Sequence, residues 1–400
     1  MKKRVSLIGI GMGTIDGMTK EAGKRLESAQ LFIGAKRMLE VVSAQNVHKA
    51  EEYRVPQIVR ILTEENDWQQ ACILLSGDSG FFSGAKKLLK ELSGYEVEVL
   101  PGISSISYFC SRLQIAWDEV CIASLHGVQM NLIARIVRNR YAFCLLGGNN
   151  DLTELCDKLL FYGLADVILS VGEMLGYPEE VIDSGTPAEI REREYGTLIS
   201  VVIENKTPEA VSGFLPDTAW IRGKVPMTKA EVRFVSLGKL DLKPDSVFYD
   251  IGAGTGSIGI SAALMYPDSK VYAIERKEEA VRLIRDNIQK MKADNVVVCE
   301  GEALSVMEGL PVPTHAFIGG SGGSLEAVVH QLLEKNPKIR MVINVITLES
   351  LTIVTKLLKE LSYVDSEIVQ LHSAVSKEIG SYHMMEGQNP VTVITIQGKL

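Results

Sequence analysis

The 400-residue sequence predicts an α/β protein of two domains. Three observations carry that prediction. Short apolar runs alternate with amphipathic stretches along the whole chain, the pattern of strands and covering helices. The length exceeds what one ordinary core supports. The alternation breaks once, at Asn205-Lys206-Thr207-Pro208 and the Gly213 and Pro216 that follow, and then restarts. A linker is expected over 205–215, with domains 1–208 and 209–400.

In the first half, strands are expected at 5–10, 71–76, 95–100, 120–124, 141–146, 165–171 and 197–204. Helices are expected at 19–29, 83–92 and 152–162. In the second half, a strand at 247–251 leads through a Gly-rich turn into a helix at 257–265. Strands follow at 270–275, 296–299, 316–318 and 341–346. Between the first two of these, Val281, Ile284, Ile288 and Met291 fall on one helical stripe. A helix is expected at 348–361. The runs 366–371 and 391–396 read as an antiparallel pair that ends the sheet. The halves share no repeat, so two different folds are expected.

Composition excludes several classes. Hydrophobic residues are 46% and charged residues 23%, the balance of a globular chain, and formal net charge is −8. A nucleic-acid partner is not expected, because its footprint is a basic face. No apolar run reaches membrane-spanning length. The six cysteines, Cys72, Cys110, Cys121, Cys144, Cys156 and Cys299, form no C-x-x-C pair. They read as free thiols, and a cytoplasmic location is expected. His315, His330, His372 and His383 lack metal-ligand spacing, so no metal is expected.

The chemistry concentrates at Asp250-Ile251-Gly252-Ala253-Gly254-Thr255-Gly256. Glycines there allow a sharp turn and close approach of backbone to a ligand. Glu275 ends the next strand, where a carboxylate can accept from ribose hydroxyls. Two cofactor classes compete. Gly254, Gly256 and Gly259 fit a dinucleotide spacing, which would make an NAD-linked oxidoreductase of the 252–259 turn. Asp250, however, would repel a pyrophosphate and suits an ammonium and a sulfonium. Charge therefore favours S-adenosylmethionine (SAM).

Asp250 to Gly256 resembles the first motif of class I methyltransferases. Gly223-Lys224-Val225-Pro226-Met227-Thr228-Lys229-Ala230-Glu231-Val232-Arg233 and Phe317-Ile318-Gly319-Gly320-Ser321-Gly322-Gly323 narrow the resemblance. They are similar to cobalamin-pathway enzymes that methylate C15 of a tetrapyrrole and decarboxylate its C12 acetate. The resemblance covers about 215–400. It implies a Rossmann-like domain with a mostly parallel seven-stranded sheet. SAM would be bound by Thr228, Asp250, Gly252, Ala253, Gly254, Thr255, Gly256, Glu275, Glu302 and Ala303. The family usually has Asp and Pro around that alanine, where this chain has Glu302 and Leu304.

In the first domain, Gly9-Ile10-Gly11-Met12-Gly13, Ser76-Gly77-Asp78-Ser79-Gly80, Pro101-Gly102-Ile103-Ser104-Ser105 and Ser124-Leu125-His126-Gly127 each follow a strand. Small-residue loops at strand ends suit a ligand cleft. In order, they resemble the class III tetrapyrrole methylases, a fold of two αβα lobes. Gly34-Ala35-Lys36-Arg37 and Gly172-Glu173-Met174-Leu175-Gly176-Tyr177-Pro178-Glu179 sharpen the likeness to the C5-methylating members. The resemblance spans 1 to about 205. It implies a second SAM site at Gly9, Gly11, Gly13, Gly77, Asp78, Ser79, Ser104 and Ser105. Met12 and Ser79 stand where the family usually has loop-stiffening prolines. Both halves together resemble the bifunctional C5,15-methyltransferases (decarboxylating) of cobalamin biosynthesis.

That resemblance implies a precorrin-type substrate rich in carboxylates, and it implies a homo-oligomer. Cationic grips are expected at Lys36, Arg37, Arg222, Lys224, Lys229 and Arg233, with Gly319, Gly320, Ser321 and Gly322 against the macrocycle. His126, Tyr382 and His383 are the candidate proton-handling side chains. Methyl transfer to an enamine-like carbon needs mainly alignment and exclusion of water, which accounts for the lack of a nucleophile–base pair. The rival to two active sites is a single SAM site with residues 1–205 as a regulatory module.

Overall fold

The computed structural model describes residues 2–14, 17–42, 47–124, 131–146, 149–320, 323–361 and 364–399. The chain divides into two compact units, Met1–Gln129 with Asn139–Thr207, and Met130–Arg138 with Pro208–Leu400.

The first unit contains two five-stranded sheets. One is wholly parallel and holds β1 (Arg4–Gly9), β2 (Leu31–Gly34), β3 (His48–Glu51), β4 (Gln70–Leu75) and β5 (Glu96–Leu100), in the order β3-β2-β4-β1-β5. Its central strands β1 and β4 are near-continuous apolar runs because helices cover both faces. The helix Lys20–Ser28 starts at Thr19, whose hydroxyl accepts from Ala22 N at 3.1 Å.

The other sheet is mixed. It holds β6 (Val120–Ser124), β7 (Tyr141–Leu145), β8 (Ile168–Glu173), β9 (Val181–Gly185) and β10 (Ile199–Glu204), in the order β6-β7-β10-β8-β9. Only β6 and β7 run parallel. The strand expected at 165–171 begins at Ile168, after a left-handed Gly163 and a turn. β2, β3 and β9 were not expected. β3 is an edge strand with little burial, so its sequence carries no apolar period.

The second unit is built on one seven-stranded sheet. Its strands are β11 (Val247–Ile251), β12 (Lys270–Glu275), β13 (Val296–Glu300), β14 (His315–Ile318), β15 (Arg340–Val345), β16 (Val364–Leu371) and, last in the chain, β19 (Val391–Gly398). β17 (Ala374–Ile379) and β18 (Tyr382–Gly387) form a separate hairpin. The sheet order is β13-β12-β11-β14-β15-β19-β16. β19 runs antiparallel to β15 and β16, and the other pairs are parallel. The expected seven-stranded sheet and its antiparallel closing pair are therefore present.

The helix Ser257–Met265 is buried on all sides from Ser257 to Leu264, which its apolar, small-residue sequence allows. The helix Glu278–Met291 buries Val281, Ile284 and Ile288, three of the four stripe residues named from sequence. Strand order reverses at β11: β12 and β13 lie to one side, β14 and β15 to the other. A crevice forms at the carboxyl ends of strands at such a switch point.

Candidate functional site

The second unit carries a cavity of about 710 Å³ at that switch point. One wall comes from the ends of β11, β12 and β13, through Asp250, Gly252, Gly254, Glu275, Glu302 and Ala303. The opposite wall comes from β14, β15 and β19, through Phe317, Gly319, Gly320, Asn344 and Val391. Pro226, Met227, Thr228 and Lys229 close a third side.

Glycine is required in the turn for a specific reason at Gly252. Its φ is +70°, and a Cβ there would stand 2.2 Å from Gly320 O. Gly252 N and Ala253 N both donate to Ile274 O, at 3.0 and 3.2 Å. Gly254 N donates to Glu275 Oε2 at 3.0 Å, while Glu275 Oε1 accepts from Arg276 N and Lys277 N. The Glu275 carboxylate is thus fixed in orientation by three backbone N–H groups. Oε1 is filled by its two N–H donors, and Oε2 keeps lone-pair capacity for a ligand.

Asp250 is buried at 1% exposure. Its Oδ2 accepts from Gly259 N at 2.8 Å, and its Oδ1 has no partner among the described residues. Burial pushes its carboxyl up to about 7; the Glu275 charge adds to the rise and the Gly259 N–H opposes it. An unpartnered buried carboxyl oxygen in a cavity wall fits a cofactor that brings a cation to it. Gly259 serves this carboxyl rather than a pyrophosphate: a Cβ on it would meet Asp250 Oδ2 at 2.8 Å.

Thr255 and Gly256 do not line the cavity. Thr255 is fully buried and Gly256 caps the helix Ser257–Met265 in a left-handed conformation.

Arg233 was expected to grip substrate, and the structure corrects this. Its side chain is 0% exposed. Its Nη1 donates to Thr228 O at 2.8 Å, and its Nη2 donates to Leu215 O at 2.6 Å and lies 3.4 Å from Asp217. The guanidinium also lies over Trp220, 5.2 Å from the ring centroid. It fastens the 215–229 segment, whose end forms the cavity's third side. Asn287 pins the same segment to the turn. Its Nδ2 donates to Ile221 O and Thr255 O, and its Oδ1 accepts from Ile221 N.

Lys229 does line the cavity, with Nζ 3.7 Å from Asp217. Arg222 and Lys224 are exposed and outside it. Tyr382 and His383 lie on the exposed hairpin beside its Gly380 turn, and His383 pairs with Glu378 at 3.4 Å. Neither lines the cavity; the residues after the hairpin, Gln388 and Asn389, do. His126, Ser321 and Gly322 lie outside the described residues. Sequence reasoning missed Asn344, Gln388 and Asn389. Their positions at strand ends were the available signal.

In the first unit, the loops after β1, β4 and β5 meet. Gly11 and Gly77 exchange two backbone hydrogen bonds, and a Cβ at Gly9 would stand within 2.9 Å of Gly77, Ser79 and Gly102 backbone atoms. Asp78 Oδ1 accepts from Gly80 N and its Oδ2 from Gly102 N, so this carboxylate ties two loops together. Ser79 is buried. Ser104 caps the helix Ser105–Leu113 by accepting from Ser107 N. Tyr177 packs over Gly13, and Arg37 donates to Tyr177 Oη and Ser76 Oγ, both at 3.0 Å. Lys36 opens the helix Lys36–Val41 beside it.

A switch-point sheet of this order, a glycine turn and a buried carboxyl at its start define a Rossmann-like methyltransferase. Known proteins agree. Residues 219–397 match the precorrin methyltransferase domain, and residues 4–191 match the tetrapyrrole (corrin/porphyrin) methylases. The chain is 41% identical to the probable cobalt-precorrin-6B C(15)-methyltransferase (decarboxylating) of Pyrobaculum calidifontis, over 47% of this chain and 97% of that one. It is 37% identical to the cobalt-precorrin-6B C(15)-methyltransferase (decarboxylating) of Salmonella typhimurium, over 46% and 95%. It is 28% identical to the precorrin-6Y C(5,15)-methyltransferase [decarboxylating] of a Sinorhizobium species, over 98% of this chain and 95% of that one. The chain belongs to the precorrin methyltransferases, enzymes that take the methyl group from SAM. The dinucleotide and regulatory-module alternatives find no support among these relatives.

Proposed function

We propose that this enzyme methylates a precorrin macrocycle at C5 and C15 and removes the C12 acetate as CO2, in the making of the corrin ring. Residues 1–208 would carry the C5 reaction, and residues 209–400 the C15 reaction with decarboxylation, each with its own SAM. The observation that carries the reading is the paired likeness. Relatives named for C(15) match the second unit alone, while the relative named for C(5,15) spans both.

SAM supplies an activated methyl on a sulfonium. In the second unit, Asp250 would hold its ammonium and Glu275 its ribose hydroxyls, with Glu302 and Ala303 at the adenine end. The 226–229 segment, part of the cavity lining, would help shield the methyl from water. Lys229, which lines the cavity, would meet a substrate carboxylate. In the first unit, Gly9, Gly11, Gly13, Gly77, Asp78, Ser79, Ser104 and Ser105 would form the second SAM site. Lys36 and Arg37 would meet substrate carboxylates there. No described helix is long and apolar enough to cross a membrane. We place the enzyme in the cytoplasm as a homo-oligomer.

The test is product mass. Given a precorrin-6-type substrate and SAM, the full chain should add two methyl groups and lose one CO2. A product with one methyl and its acetate intact would overturn the reading.

A further inference from the structure

The cavity of the second unit is chemically lopsided. Every ionisable residue in its described lining, namely Lys229, Asp250, Glu275, Arg276, Lys277 and Glu302, comes from the 226–229 segment or the ends of β11, β12 and β13. The wall from β14, β15 and β19 carries none. It presents Phe317, Asn344, Ile346, Gln388 and Val391. The cation adjoining the helix Ala230–Leu240, Lys229, faces an acidic neighbour in Asp217.

Asn344 is held in one orientation. Ser236, fully buried, donates its hydroxyl proton to Val232 O at 2.8 Å. Its oxygen can then only accept, and Asn344 Nδ2 stands 2.9 Å away. The Asn344 amide keeps one N–H for the cavity, while its Oδ1 also lies 3.3 Å from Ser236 Oγ.

A neutral wall matters for carboxylate loss. When an acetate arm decarboxylates, its C–C bond breaks and CO2 leaves. The electron pair passes into the conjugated ring, and a proton from water completes the methyl group left behind. Negative charge therefore drains from the carboxylate on the way to the transition state. A cation at the carboxylate would stabilise the starting state more than the transition state and slow the step. A neutral hydrogen bond can orient the group without that penalty.

We propose that the wall of Phe317, Asn344, Ile346, Gln388 and Val391 seats the acetate carboxylate that leaves as CO2, with Asn344 orienting it through a neutral hydrogen bond. This rests on assigning decarboxylation to the second unit. Ile346 is 65% exposed and Gln388 sits on a loop, so both accept a lysine without disturbing the core.

The experiment is product partition by mass for full-length I346K and Q388K, with a precorrin-6-type tetrapyrrole and SAM. Both should raise the ratio of CO2-retaining to decarboxylated methylated product by about tenfold or more, the scale of one new close ion pair near the surface. N344L should shift the ratio the same way. L348K, on an exposed residue outside the cavity, should keep the wild-type ratio. A wild-type ratio in both I346K and Q388K overturns the proposal. Failure of the wild-type chain to decarboxylate would instead overturn the assignment it rests on.

Discussion

Two glycine-rich turns follow the first strands of the two units, and they differ in what lies beside them. At Gly252 and Gly254 the turn lines an open cavity beside a buried carboxyl with a spare oxygen. At Gly9 and Gly11 the backbone is pressed against two other loops, and the nearby Asp78 carboxylate is already committed to Gly80 and Gly102. In both turns a Cβ would strike the backbone of another loop, at Gly320 in the second unit and at Gly77 and Gly102 in the first; what differs is the cavity and the spare carboxyl oxygen beside the second. Similar motifs in sequence therefore need different tests.

The sharpest contrast comes from adding one methyl group at each turn. Gly252→Ala places a Cβ 2.2 Å from Gly320 O on a backbone that L residues rarely adopt. It should abolish SAM binding in the second unit, by more than about 100-fold, and with it C15 methylation and CO2 loss. C5 methylation should survive. Gly9→Ala should do the reverse, and should also lower the unfolding temperature of the first unit, because three loops must part. Mass spectrometry of the products separates the two. Loss of both methyl groups in either variant would break the comparison.

Asp250 gives the next largest effect. Its carboxyl sits at about 7 against an ordinary value of 3.8, chiefly through burial. The folded state thus holds the proton over a range where the unfolded chain has lost it. Stability falls as pH rises from about 4 to about 7, and the cost is fully present above that. Asp250→Asn should remove this slope and leave the protein at least as stable at pH 8, read by urea unfolding. It should nonetheless weaken SAM binding about 10- to 100-fold, since a buried charged partner for the ammonium is gone. In the wild type, SAM affinity of the second unit should drop as pH falls below about 7. Flat affinity between pH 6 and 8 would detach the carboxyl from the cofactor.

How far the sequence revealed this depends on whether a feature announces itself locally. β11, the glycine turn and the helix Ser257–Met265 fell where expected, because an apolar run, three glycines and a small-residue helix are local signals. β17 and β18 were missed because every residue in them is exposed, which leaves no apolar period to read. Asn344 and Gln388 were missed because a neutral amide has no motif and comes to line the cavity only when β15 and the segment before β19 fold together. Arg233 was misread for a related reason. In the string Glu231-Val232-Arg233 it looks like a surface cation, and only Trp220, Asp217 and the carbonyls of Leu215 and Thr228 bury it.

That correction is testable. Arg233→Ala leaves two carbonyls and Asp217 without their donor and should cost about 2–4 kcal/mol. It should raise KM for SAM through the loosened 226–229 segment, while tetrapyrrole affinity of the SAM-saturated enzyme changes little. Lost tetrapyrrole affinity at saturating SAM would return Arg233 to the substrate side.

The smallest effect probes the first unit, at Arg37. Its guanidinium is aimed by Tyr177, which also covers Gly13, so one tyrosine links a candidate grip to a candidate cofactor loop. Tyr177→Phe keeps the ring over Gly13 and deletes only the hydroxyl. One part-buried hydrogen bond is worth about 1 kcal/mol, so C5 methylation should slow by about two- to fivefold, through KM for the tetrapyrrole. C15 methylation should not change. Arg37→Ala should raise that KM further, because it removes the charge as well as its aim. If both variants shift only stability and leave the C5 KM alone, Arg37 is a tie between Tyr177 and Ser76. The first unit would then differ from the second in needing no described cation at this position for its substrate.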